Sequence, residues 1–459
     1  MTTAQKTTLD VAFARQQFPF FQLDKPAIQG FFDNAAGTFT AKDVIERLNH
    51  FYLHNKVQPY SNNPIGKAAG EQMDAGRKAI ADLLGLDEDT ITIGASSTQN
   101  FNTLSQACAG FIHAGDEIIV TEQDHESNIG GWERLAKAKN ISLKLWPINP
   151  ETGELELDVF KRLLSHKTKL VSVTHSSNII GTENPINEIA DLAHKVGAKV
   201  VVDGVSFAPH AWPDIPSYKV DAYCFSTYKT FGTHHGIMYV APDFMSLLTP
   251  QCHFFNEQTK NWRLLDSAGP DHGSIAALAG LESFFLNMHQ HHFDQAEAQD
   301  KSSYEKAQEI AKLMQDHEDK LGTIFLEGIK NLPIKLLGKN TMQGREANFA
   351  LEILEHCPTS ITAHLGEAGI AVANSHFYAY RLLEAMGIKD LSKGIIRISM
   401  AHYNTVEEVE EMIQQLQLLP DDDAITLIET YQSMRQFSHH SYLQQYTKQA
   451  TMKILQKKS

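Results

Sequence analysis

An apolar run ending in Ser226 leads, within FSTYKTFGTHHG (225–236), to Lys229 in a turn of small residues. A lysine held at a strand terminus inside a cleft loses solvation. Its pKa then falls, and the neutral amine can form a Schiff base with an aldehyde. The same letters also fit an ordinary surface lysine beside a turn. In VVVDGVSFAPH (200–210), three valines deliver Asp203 to the buried end of a strand, 26 residues before Lys229. A buried carboxylate is costly unless it meets a cation. The protonated pyridine of pyridoxal 5′-phosphate is such a cation, and the pairing makes the ring an electron sink. An aspartate capping its own turn is the plainer alternative.

A phosphate group needs a cradle, and GASSTQNFN (94–102) offers a short strand running into hydroxyl residues at a helix start. Backbone amides there, with the hydroxyls of Ser97 and Thr98, suit a phosphate monoester. A simple helix cap gives the same pattern. The chain holds no GxxxxGK[ST] loop, so nucleoside triphosphates lack a site, and no GxGxxG follows a strand.

These residues must be positioned by a sheet. Between about 66 and 240, apolar runs alternate with helical patterns: ITI (91–93), EIIVT (117–121), LKLW (143–146), KLVSVTH (169–175), KVVVDG (199–204) and DAYCFS (221–226). Such alternation predicts an α/β fold with a mostly parallel sheet covered on both faces. Ligands in such sheets bind at the carboxyl ends of the strands. Ser97, Thr98, His125, Asn178, Asp203 and Ser226 all fall at or just after those ends. After about 275 a long helical stretch precedes shorter runs (IKLLG, NFALEIL, IIRISM), which predicts a smaller α+β C-terminal domain. The expected organisation is an N-terminal segment (1–30), a large domain (31–285), a small domain (286–420) and a helical tail (421–459).

Composition limits the partners. The 459 residues carry a formal net charge of −15, which disfavours nucleic acid and anionic membranes. No apolar run reaches membrane-spanning length, and the N-terminus has no secretory pattern. The four cysteines (Cys108, Cys224, Cys252, Cys357) show no paired spacing, so a reducing, cytoplasmic setting is expected. His289, His291 and His292 raise the question of a metal; with no third ligand at a recognisable spacing, none is expected.

Further segments, in order, carry a resemblance. FFDNAAGT (31–38), DHESNIGGW (124–132), HSSNIIGT (175–182) and KGIIRISMAHYNTVEEV (393–409), together with the three above, resemble the class V aminotransferase family, which includes cysteine desulfurases. The resemblance runs from about 31 to 418. It implies an aspartate-aminotransferase-like large domain with a seven-stranded-type sheet. It also implies pyridoxal phosphate as cofactor and a homodimer with shared active sites. By the same resemblance, His125 stacks on the cofactor ring and handles protons, and Asn178 lies near its phenolic oxygen. Asn34 lies near the substrate, and Arg397 grips the substrate carboxylate. Ser226 and Lys229 belong to the cofactor turn, and His272 and Ser274 are weaker candidates for a phosphate contact across the dimer. His234 and His235, beside that turn, stay unassigned.

Three departures bear on the reaction. Ser206 stands where desulfurases usually carry glutamine, and Tyr228 where a histidine often precedes the lysine; either hydroxyl group can substitute. GIAVANSHFYAYRL (369–382) places Tyr378 about where desulfurases carry their sulfur-accepting cysteine, and no cysteine follows Cys357. The sequence therefore predicts an enzyme acting on a small amino acid through an external aldimine, aminotransferase-type. The alternatives are a C–S lyase or desulfurase-like β-elimination enzyme lacking that cysteine, or a non-catalytic cofactor-binding protein.

Overall fold

A computed structural model describes residues 8–257, 260–353 and 356–419; the tail expected over 421–459 lies outside them. Its largest sheet contains β2 (Ile91–Gly94), β3 (Glu117–Thr121), β4 (Ser142–Trp146), β5 (Thr168–Thr174), β6 (Lys199–Asp203), β7 (Ala222–Ser226) and β8 (Gly236–Val240). They run in the order β2-β8-β7-β6-β5-β3-β4. All neighbours are parallel except those of β8, which is antiparallel to both β7 and β2. The fold is therefore α/β with a mostly parallel seven-stranded sheet, as the alternation and the resemblance predict.

Side-chain alternation explains why the central strands read as unbroken apolar runs. Val200 and Val202 face one hydrophobic core while Val201 faces the other, and all three are fully buried. Each such burial contributes about 1.5–3 kcal/mol, so β6 has little freedom to slip. That anchoring fixes where Asp203 emerges.

A second, antiparallel sheet orders β12 (Ala373–Ser375), β13 (Ile395–Ser399), β10 (Asn348–Ile353) and β9 (Ile334–Leu337). Helices Ser303–Ile329 and Val406–Gln417 supply Leu321, Phe325, Val409 and Met412 to its core, against Phe349, Leu351, Ile396 and Ile398. Both helices begin with full capping boxes, Ser302 with Glu305 and Thr405 with Glu408. Those reciprocal bonds satisfy amide donors left open at the first turn. The two-residue strands β1 (Gly30–Phe31) and β11 (Ile370–Ala371) pair in parallel and tie the N-terminal segment to this unit. Helix Ala279–His292 spans residue 285 between the regions. Among the described residues no helix is long and apolar enough to cross a membrane.

Candidate active site

One cavity at the carboxyl ends of the large sheet collects Ser97, Thr98, His125, Asn178, Asp203, Ser206, Ser226, Tyr228 and Lys229. Ser96, Ser127, Thr174, Val205 and His234 complete its lining. Asp203 ends β6 and Ser226 ends the adjacent β7, with Lys229 in the single turn that follows. Adjacent parallel strands therefore present the carboxylate and the amine together.

Lys229 is buried, and its pKa is lowered to about 8, chiefly by burial and then by the charge of Arg397, with Asp203 and Asp33 opposing the shift. A sizeable neutral fraction thus exists near neutral pH. Asp203 is buried too, with its pKa raised to about 6, chiefly by desolvation and partly offset by the Val205 amide and Lys229. The Val205 N–H donates to Oδ1 at 2.9 Å. No ion pair joins this carboxylate to a cation among the described residues, so a cationic ring nitrogen suits it.

His125 caps the N-terminus of helix Glu126–Lys139. The Ser127 N–H donates to His125 Nδ1 at 3.0 Å, which requires a lone pair on that nitrogen and leaves the proton of the neutral ring on Nε2. Burial, then the charges of Lys229 and Arg397, depress its pKa to about 3. The positive end of the helix acts in the same direction. Beneath it, Asp124 is buried with its pKa raised to about 8 by desolvation, despite bonds from Thr121 and Asn128. Asn128 Nδ2 donates to Asp124 at 2.8 Å, Ser172 donates to Asn128 at 2.7 Å, and Trp132 donates to Ser172 at 2.9 Å. This polar chain holds the turn carrying His125.

Helix Ser97–Ala107 starts beside the cavity, which Ser97 and Thr98 line. Its cap is Ser96, whose side chain accepts from Gln99 N at 3.1 Å. The Ser97 and Ser226 hydroxyls lie 2.7 Å apart. A Cβ on Gly236 would meet the Ser96 carbonyl carbon at 2.4 Å and Ser97 N at 2.5 Å; strand β8 can press against the helix start only without a side chain there. Tyr228 stacks on His234, ring centroids 4.5 Å apart. His235 turns its Nδ1 to Gly94 O at 3.1 Å.

Two expected substrate residues lie outside this lining. Arg397, on β13, donates to Asn178 O at 3.2 Å and to Asp33 Oδ1 at 3.1 Å. Its guanidinium lies 3.9 Å over the Phe377 ring, and its buried Nε has no hydrogen-bond partner. Asn34 is bonded through both ends of its amide. Its Nδ2 donates to Ser399 O at 2.9 Å, and its Oδ1 accepts from the Tyr403 hydroxyl. The neighbouring Asp33 is the residue that reaches Arg397.

Over the site runs Ser375–Arg381. Phe377 and Tyr378 are consecutive left-handed residues, φ 45° and 59°, a conformation costing about 1–2 kcal/mol each. Asn178 Nδ2 donates to Phe377 O at 2.9 Å, and the Glu126 N–H donates to Tyr378 O at 2.9 Å. Tyr378 lies 5.2 Å from the His125 ring. Arg381 reaches Glu126 at 2.8 Å and Glu133 at 2.6 Å. Serine, histidine and aromatic groups line this strap; no cysteine lies in it.

His289 bonds Glu309, His291 bonds Asp10, and His292 Nε2 accepts from Asp10 N. Among the described residues no cluster of three metal-ligating side chains forms. Ser274 donates to Asp271 at 2.7 Å, at the cap of the short helix that His272 begins.

The chain matches the class-V aminotransferase family over residues 30–412 and belongs to it. It is 30% identical to an aminotransferase-like protein, FGM3, of Gibberella zeae, over 90% of this chain and 99% of that one. To a cysteine desulfurase of Cronobacter sakazakii it is 28% identical, over 84% and 92% of the two chains. The fold superposes on the apo structure of a cysteine desulfurase from Thermococcus onnurineus NA1 with TM-score 0.75, at 22% identity over 90% of this chain and 98% of that one. Pyridoxal 5′-phosphate is the cofactor of this enzyme, and the donor set of the cavity fits it.

Proposed function

We propose that this enzyme acts on a small amino acid, with transamination as its reaction. The carrying observation is the convergence of buried Lys229 and Asp203, from adjacent strand ends, on one cavity with a neutral His125. In this reading Lys229 Nζ bonds the cofactor, Asp203 holds its ring nitrogen, and the helix start at Ser96–Thr98 takes its phosphate. The bound cofactor supplies an electron sink for the pair left at Cα.

The protein's own groups do the rest. Lys229 Nζ, freed as a neutral amine once the substrate amine takes its place on the cofactor, would take the Cα proton and return one. His125 Nε2–H donates into the site and resists protonation. Arg397, fixed by Asp33 and the Asn178 carbonyl, offers its remaining N–H groups to the substrate carboxylate. Ser206 and Asn178 offer polar groups along the ring edge.

The strap favours this chemistry over sulfur transfer to the protein: Tyr378 occupies its apex, and no cysteine lines the cavity. A β-elimination of cysteine is the second reading, favoured by the desulfurase relatives, because it needs the same proton transfer and no protein thiol. We also read the chain as a homodimer, a state consistent with the exposed Tyr52, Leu53 and Val57 and measurable by light scattering.

Borohydride should fix the cofactor to Lys229, and a panel of amino acids should yield keto acids. A protein left colourless after cofactor addition overturns the whole reading. Sulfide and pyruvate from cysteine, without keto-acid exchange, moves the assignment to elimination. Persulfide on the protein at an ordinary rate refutes the role given to the strap.

A further inference from the structure

We infer that Phe377 sets the size of substrate this enzyme accepts, by occupying the space beside the carboxylate-binding arginine. The inference rests on the proposed role of Arg397 and adds a selector to it.

Phe377 touches the machinery in two ways. Its ring lies 3.9 Å from the guanidinium carbon of Arg397, covering one face of that planar group. Its carbonyl accepts from Asn178 Nδ2 at 2.9 Å, and Asn178 lines the cavity. A carboxylate binds a guanidinium edge-on, in its plane. With Phe377 on one face, the substrate carboxylate enters along the open edge, and groups attached next to it run into the ring.

The position is imposed rather than adopted by default. Phe377 has φ 45°, a region a bulky side chain enters only when its surroundings insist. Its N–H donates to Ser375 Oγ at 3.2 Å, and the Tyr378 N–H donates to His376 Nδ1 at 3.1 Å. The next carbonyl is held by Glu126 N, and Arg381 anchors the far end on Glu126 and Glu133. A relaxed loop would turn the ring elsewhere; this one is tied at both ends with the ring against Arg397. Such an arrangement discriminates by sterics, and a pocket wall of this kind separates substrates by roughly 10–200-fold per group of methylene size.

The test compares the holoenzyme with Phe377→Ala, Phe377→Leu and Phe377→Tyr. The ratio of kcat/KM for leucine to that for alanine should rise at least about tenfold in Phe377→Ala, less in Phe377→Leu, and stay near the parent value in Phe377→Tyr. Calorimetry with unreactive acids supplies a readout without turnover: 4-phenylbutyrate should gain affinity relative to propionate in the same order. Thermal melts identify any variant that does not fold, and the leucine variant then carries the comparison. An unchanged ratio in folded variants overturns the inference, as does an equal loss for every substrate. A parent enzyme that neither turns over nor binds any amino acid sinks the functional reading itself, a separate outcome.

Discussion

Strands β6 and β7 hold Asp203 and Lys229 by a ladder of backbone bonds with hydrophobic cores on both faces. The Ser375–Arg381 strap above them hangs on one backbone bond from Glu126, a few side-chain bonds and one branched ion pair, with two left-handed residues between. In the proposed reading the floor carries the groups that hold the cofactor. The strap carries aromatic and charged groups and no cysteine. In that reading a rigid element holds the cofactor-facing groups, and a separately tethered one bears on what they act upon.

Perturbations should therefore divide. The largest effect belongs to the floor: Lys229→Ala should lower turnover by at least about 10³-fold, given what a positioned acid–base group contributes, and should abolish borohydride fixation. Residual turnover above a tenth of the parent rate would remove Lys229 from the mechanism. Next is Arg397→Ala, which should raise KM for small amino acids by an amount equivalent to about 2–4 kcal/mol, since a buried charge-assisted contact is lost. A KM within twofold of the parent would contradict its carboxylate role.

A smaller, graded effect follows from pH. With the Lys229 pKa lowered to about 8, the neutral amine and the rate of cofactor capture should rise through about pH 8 and level off above it. Between about pH 8 and the ordinary 10.5, the unfolded chain binds a proton here that the folded chain does not. Unfolding therefore takes up a proton, and this group's share of apoprotein stability increases with pH across that window. A capture rate flat from pH 7 to 9 would count against it.

The smallest change in global stability belongs to the strap. Arg381→Ala should cost about 1 kcal/mol or less in a denaturant titration, because its ion pairs are part-exposed. Hydrogen exchange should nevertheless quicken selectively at Phe377–Ala379. Unaltered exchange would mean that Arg381 is not the anchor described.

Much of the floor was legible because its signals are local. Val200–Val202 before Asp203, and the apolar run before Ser226, declare strand ends directly. Ser97 and Thr98 lie at the helix start, and the cap is Ser96. The pattern Ser96-x-x-Gln99 carried that information, since a serine three residues before glutamine is a cap signature. Asp33 and Phe377 could not be read as partners of Arg397, because each contact joins distant segments. The partners of Asn34 were hidden for the same reason: its amide closes onto Ser399 and Tyr403, more than 360 residues away. Among the histidines, the His125 tautomer became readable only once the Ser127 amide was seen beneath Nδ1.

Gly236 has a wider consequence. Because β8 bears on the backbone of Ser96 and Ser97 with no atom to spare, the proposed phosphate cradle is shaped by a strand distant in sequence from the loop that forms it. Grafting GASSTQNFN alone into another scaffold would transfer the letters without the geometry. A working transplant would have to bring the antiparallel strand along, making the pair the smallest portable part of this site.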